Sequence, residues 1–153
     1  MLSIKSVNAI SHYTDWTIGH VHIGTLGWNG FMTFGILYWL LPRLFNTKLH
    51  SLKLANAHFW IGTLGIILYA LPMYVAGFTQ ALMWKEFNPD GTLTYSFIES
   101  LEATYPFYAI RLLGGTLFLA GMFIMAWNVV KTLGQGQMKE TEAAEPAYWG
   151  EHA

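Results

Sequence analysis

Three stretches without a single Asp, Glu, Lys or Arg, residues 16–42, 54–84 and 112–130, restrict this chain more than any other feature of its sequence. At about 1.5 Å of rise per residue, each is long enough as a helix to cross a hydrocarbon layer of about 30 Å. In lipid, every backbone N–H and C=O must be satisfied internally, which leaves helices and closed barrels. Runs of this length without polar/apolar alternation predict helices. Only 11% of all residues are charged and 54% are hydrophobic, so lipid rather than water is the expected solvent. The predicted fold is all-α, a membrane helical bundle with three transmembrane helices.

The connections agree. Tyr38 and Trp39, then Pro42 and Arg43, read as an aromatic belt and a helix stop. The segment that follows holds Arg43, Lys48 and Lys53 and no acid, which assigns it to the cytoplasmic side. Pro72 inside the second run removes one helix hydrogen bond. Asn88-Pro89-Asp90-Gly91 is a turn signal, with Pro setting φ and Gly accepting φ > 0, and predicts a short outer hairpin. Residues 96–104, with Glu99 and Glu102 among Phe97, Ile98 and Leu101, predict a short amphipathic helix on the outer surface. Pro106 opens the third membrane helix, and residues 134–153 are expected to form a polar cytoplasmic tail. The N-terminus then lies outside and the C-terminus inside.

His20 and His22 sit within the first uncharged run, among Gly19, Gly24, Gly27 and Gly30. A helix turns about 100° per residue, so positions two apart point about 200° from one another. These two histidines therefore serve different sites, not one metal. An imidazole in hydrocarbon is costly unless its nitrogens are satisfied; a haem iron is one partner and a hydrogen bond to a neighbouring helix is the other. The glycines leave room for something broad and flat. His58 beside Trp60 reads as a packing or hydrogen-bonding residue. Arg111 either snorkels, pairs with Glu99 or Glu102, or meets an anionic cofactor group.

The run Ser6-Val-Asn-Ala-Ile-Ser-His12-Tyr-Thr-Asp15-Trp-Thr-Ile-Gly-His20-Val-His22, with Gly27-Trp28 and Phe31-Met-Thr-Phe-Gly35, closely resembles the catalytic subunit of cbb3-type cytochrome c oxidases, a branch of the haem-copper oxidases. The resemblance continues through Ala57-His58-Phe-Trp60, Tyr74-Val-Ala-Gly77, Leu82-Met-Trp84, Tyr95-Ser-Phe97, Ile110-Arg111 and Gly114-Gly115, and so spans residues 4–133. It implies that residues 1–133 are the last three helices of a twelve-helix core, and that Met1 is an internal start or the edge of a split reading frame. His20 would be the axial ligand of a high-spin b-type haem and His22 that of a low-spin one. His12 and Asp15 would lie near haem propionates, although Thr14 or Asp15 capping the helix explains that segment equally well. The implied activity is electron transfer from cytochrome c to oxygen, coupled to proton translocation in a bacterial cytoplasmic membrane. The implied partners are the missing amino-terminal helices, c-type cytochrome subunits, oxygen and membrane lipid.

The family's copper is held by histidines upstream of this stretch, so no catalytic residue is assigned here and the isolated chain is expected to be inactive. Two alternatives remain: a small membrane b-type haem electron carrier, and a non-catalytic scaffold or gene fragment. Without cysteine there is no covalently attached c-type haem. A net charge of −1 with no basic patch argues against a nucleic-acid partner. No phosphate-binding loop or serine-nucleophile motif occurs.

Overall fold

The computed structural model describes residues 3–136, which form helices α1 (Lys5–Ser11), α2 (Asp15–His22), α3 (Phe31–Leu44), α4 (Leu52–Met83), α5 (Phe97–Glu102) and α6 (Tyr105–Gly136). Between α2 and α3 the helix does not stop but runs as a π segment over Ile23–Gly30. The first uncharged run is thus helical throughout, though not one α-helix as expected. α4 and the region reaching the end of α6 are long and apolar enough to cross a membrane. α1 precedes the first uncharged run, and α6 extends into the expected polar tail as far as Gly136. The rest of that tail lies outside the described residues.

α4 is the central helix, packed chiefly against α6 and next against α2. Its contact with α6 rests on two facing glycines. A Cβ at Gly114 would sit 2.6 Å from the Tyr69 nitrogen and 2.7 Å from the Gly65 oxygen; one at Gly65 would sit 2.7 Å from the Phe118 nitrogen. Backbone therefore meets backbone, the packing that small residues permit in lipid. Large apolar side chains point outward: Leu112 is 73% exposed, Trp28 71% and Phe123 68%. This is the surface of a bundle whose remaining neighbours are lipid or other helices.

Polar groups tie the ends of the helices. Asn128 of α6 accepts from the Ser51 N–H (3.0 Å) and donates to the Ser51 carbonyl (2.9 Å), while Thr132 accepts from the His50 N–H (3.0 Å). Ser51 also caps α4 by accepting from the Leu54 N–H. The hydrogen-bonding role expected for His58 is observed: the ring is 2% exposed and its Nδ1 lies 3.2 Å from the Tyr38 hydroxyl, linking α4 to α3. α4 passes through Pro72 without ending.

The expected hairpin forms as a short pairing of Phe87 with Leu93, closed by a turn in which the Gly91 N–H donates to the Asn88 carbonyl (2.9 Å) and Gly91 has φ +84°. Hydrogen bonds from the Thr92 hydroxyl and N–H hold the Asp90 carboxyl below its usual range. α5 opens with a reciprocal cap between Ser96 and Glu99. The Ser96 N–H and hydroxyl both donate to the Glu99 carboxylate, which lowers its pKa and keeps the cap intact at neutral pH. Phe97 is 73% and Ile98 64% exposed, whereas Ser100 is buried, so the apolar side chains of α5 are free to meet a membrane surface.

The backbone contact at Gly65 and Gly114 leads to a direct test. Gly114→Ala forces α4 and α6 apart and is expected to cost about 1–3 kcal/mol, read as a lower thermal midpoint of helicity for the detergent-solubilised chain. Gly35→Ala, where a Cβ meets nothing within 4 Å, should leave the midpoint unchanged. Equal midpoints for the two variants would refute the close crossing.

Candidate haem and anion site

The site is built from one face of α2, the middle of α4 and the start of α6. At its head lies Asp15, the first residue of α2 and 6% exposed. Its backbone N–H donates to the Gln80 Oε1 (2.8 Å), and its Oδ2 accepts from the Gln80 Nε2 (3.0 Å) and from the Tyr108 hydroxyl (2.8 Å). One carboxylate thus joins α2, α4 and α6. The bond from Asp15 N–H also satisfies a first-turn donor that has no partner within α2. Thr14 makes no side-chain cap; its hydroxyl donates to the Ser11 carbonyl instead (2.7 Å). The capping alternative is therefore replaced by an inter-helix network.

His12, expected beside Asp15, is exposed and stacks edge-on against Tyr13, with ring centroids 4.1 Å apart. Among the described residues no hydrogen bond connects it to Asp15. The two members of that pair stand in different surroundings.

His22 turns toward α4. Its Nδ1 lies 2.8 Å from the Ile18 carbonyl, which can only accept, so Nδ1 carries the hydrogen. In the neutral ring that leaves the lone pair on Nε2, the tautomer of a metal-ligating imidazole oriented by a backbone carbonyl. This lone pair accepts a hydrogen bond from the Tyr69 hydroxyl (3.1 Å), and the two rings stack at 4.5 Å. The donor set therefore fits an axial iron ligand, provided that the Tyr69 hydroxyl swings aside. His20 is exposed, and its ring makes no hydrogen bond among the described residues. Gly19, between helices, lies where a Cβ would come 3.1 Å from the Ala70 carbonyl oxygen, so it serves packing; Gly24 faces open space.

Arg111 does not pair with Glu99 or Glu102. Its guanidinium lies 4.9 Å over the Tyr69 ring and 5.9 Å from that of Tyr108, and Nη1 is 3.7 Å from the Met73 sulfur. It lines an open groove of about 600 Å³ with Tyr69, Tyr108, Gly115 and Thr116. A cation whose neighbours are ring faces and a thioether can accept an anionic group, and Tyr69 connects this groove directly to His22. Tyr69, Gln80 and Tyr108 were not singled out from the sequence. Gln80 had a signal, as an amide inside an uncharged run; the two tyrosines had none beyond their type.

The Asp15 network separates charge from geometry in a testable way. Asp15→Ala leaves Tyr108 and Gln80 without their acceptor and is expected to destabilise the detergent-solubilised chain by about 1–3 kcal/mol. Asp15→Asn, which keeps an oxygen in place, should cost less. Equal thermal midpoints for Ala and wild type would remove the network from the account.

The sequence matches the family described as Cytochrome C and Quinol oxidase polypeptide I over residues 1–117. It is 55% identical over 148 residues to a cytochrome c oxidase subunit 1 homolog of Agrobacterium tumefaciens (strain T37), covering 96% of this chain and 27% of that protein. It is 52% identical over 145 residues to a Cbb3-type cytochrome c oxidase subunit of Stutzerimonas stutzeri, covering 94% of this chain and 31% of that one. A bacteroid subunit 1 homolog of Bradyrhizobium diazoefficiens is 55% identical over 150 residues, again over 96% of this chain and 27% of the relative. The chain therefore spans between 27% and 31% of the length of these relatives. On the match over residues 1–117, this helical membrane chain belongs to the Cytochrome C and Quinol oxidase polypeptide I family.

Proposed function

We propose that this chain is the carboxy-terminal helical portion of the catalytic subunit of a cbb3-type terminal oxidase, which passes electrons from cytochrome c to oxygen, forms water and translocates protons. The observation that carries this reading is the His22 imidazole, whose Nδ1–H bond to Ile18 directs a lone pair on Nε2 away from its own helix. His22 would hold a low-spin b-type haem and His20, exposed on another face of the same helix, a high-spin one. Bound haem supplies reversible one-electron chemistry. Arg111, with no carboxylate partner among the described residues, would neutralise an anionic edge of the cofactor, and Asp15, held by Tyr108 and Gln80, would hold or release a proton near it. His12 belongs to the same outer region by sequence alone.

Copper would be ligated by helices outside this chain, and the amino-terminal helices together with c-type cytochrome subunits would complete the enzyme. Residues 1–133 would then form the three-helix unit and residues 134–153 a tail in the cytoplasm of a bacterium, the basic α3–α4 connection lying on that same side. On this reading the isolated chain consumes no oxygen.

Two measurements check the proposal. In the full-length subunit, His22→Ala is expected to abolish the low-spin haem signal and His20→Ala to disrupt the high-spin, ligand-binding one; identical spectra from the two variants would sink the assignment. For orientation, a thiol introduced by Asn46→Cys should react with an impermeant reagent only after the cells are opened. Labelling from the periplasm of intact cells would reverse the topology.

A further inference from the structure

The end of α3, the connection to α4, the start of α4 and the end of α6 carry Arg43, Lys48, Lys53 and Lys131 in turn, all exposed, with no Asp or Glu in the sequence between Asp15 and Glu86 or between Glu102 and Glu140. The opposite end holds Asp15, Glu86, Asp90, Glu99 and Glu102 against Lys5 and Lys85. Two of the basic groups are set on indole rings. Arg43 lies 4.0 Å over Trp39 while its Nη1 donates to the Trp39 carbonyl (2.8 Å), and Lys131 lies 4.8 Å over Trp127. Trp39 is 48% and Trp127 57% exposed. The connection is also anchored to α6, through Ser51 with Asn128 and through His50 with Thr132 and Gln135. The basic groups therefore ring one end of the bundle on a fixed frame.

Beside them Leu44, Phe45 and Leu52 are exposed. An occupant must satisfy cations and apolar side chains at once, at the end of membrane-crossing helices. A soluble phosphate satisfies only the first; a phospholipid satisfies both, with its headgroup on the cations and its acyl chains along the helices. We infer that this rim is a binding surface for anionic phospholipid headgroups, with Arg43 and Lys131 preset by Trp39 and Trp127 to meet them. The cation–π contacts limit the freedom these two side chains lose when a phosphate arrives.

The test reconstitutes the full 153-residue chain into phosphatidylcholine vesicles and compares its association with spin-labelled phosphatidylglycerol and phosphatidylcholine. The chain is expected to prefer the anionic lipid at least about twofold, with the preference falling as salt rises, as surface electrostatics require. The combined variant Arg43→Gln, Lys48→Gln, Lys53→Gln and Lys131→Gln should lose it, and Lys85→Gln, at the opposite end, should keep it. Helicity of each variant is measured alongside. The salt dependence of the unaltered chain stands as an independent readout should the combined variant fold poorly. Equal association of the two lipids with the unaltered chain, or an unchanged preference in the combined variant, overturns the inference. So does a preference that emerges only when the chain ends at Gly136, because the acidic residues beyond it would then be the occupant.

Discussion

The close passage of α4 and α6 at Gly65 and Gly114 governs the rest of this molecule. Between helices in lipid there is no hydrophobic gain from contact, so association rests on packing and on interhelical hydrogen bonds. Two glycines bring the backbones together, and that approach carries Tyr108 and Arg111 of α6 to Asp15 and Tyr69. With larger residues at the crossing, α6 would stand off and the Asp15 carboxylate would lose its Tyr108 partner. The same approach sets Asn128 against Ser51 at the other end. Packing at the middle thus determines polar pairing at both ends.

Those pairings leave one group conspicuous. Asp15, His58, Asn128 and Thr132 are buried and each engages a partner on another element. Arg111 rests on aromatic faces and sulfur, neighbours that do not neutralise its charge. Among the described residues Ser11 Oγ and His58 Nε2 are buried without a hydrogen-bond partner, and Arg111, held against rings beside a groove, is where the proposed reading would seat an anion. Through Tyr69 the groove is continuous with His22.

Much of the architecture was legible because charge-free runs have few alternatives in lipid. The turn at Asn88–Gly91 was legible for a different reason, since Pro and Gly act through local backbone conformation. The divergence of His20 and His22 followed from helix pitch alone. What pitch could not supply was the partner of either ring: Tyr69 is one aromatic among many in α4, and only the rotation of α4 brings it to His22. The environment of Arg111 was open for the same reason, because Glu99 and Glu102 lie close in sequence but on the separate element α5.

The π segment escaped the pattern most completely, and it explains how one helix meets α4 twice. From His22 to Tyr38 a regular α-helix turning about 100° per residue would place the two side chains roughly 160° apart. Yet His22 reaches Tyr69 and Tyr38 reaches His58, both on α4. A π turn takes about one residue more than an α turn, so each residue advances only roughly 80°. Over the eight residues Ile23–Gly30 the lag accumulates to roughly 160°, enough to bring Tyr38 back to the side that His22 occupies. Periodicity counted at the α-helical turn of about 100° per residue carries no mark of this change of pitch. The irregular segment therefore has a mechanical role. It lets the helix keep His22 against Tyr69 and Tyr38 against His58, while His20, before the change of pitch, stays on the outward face.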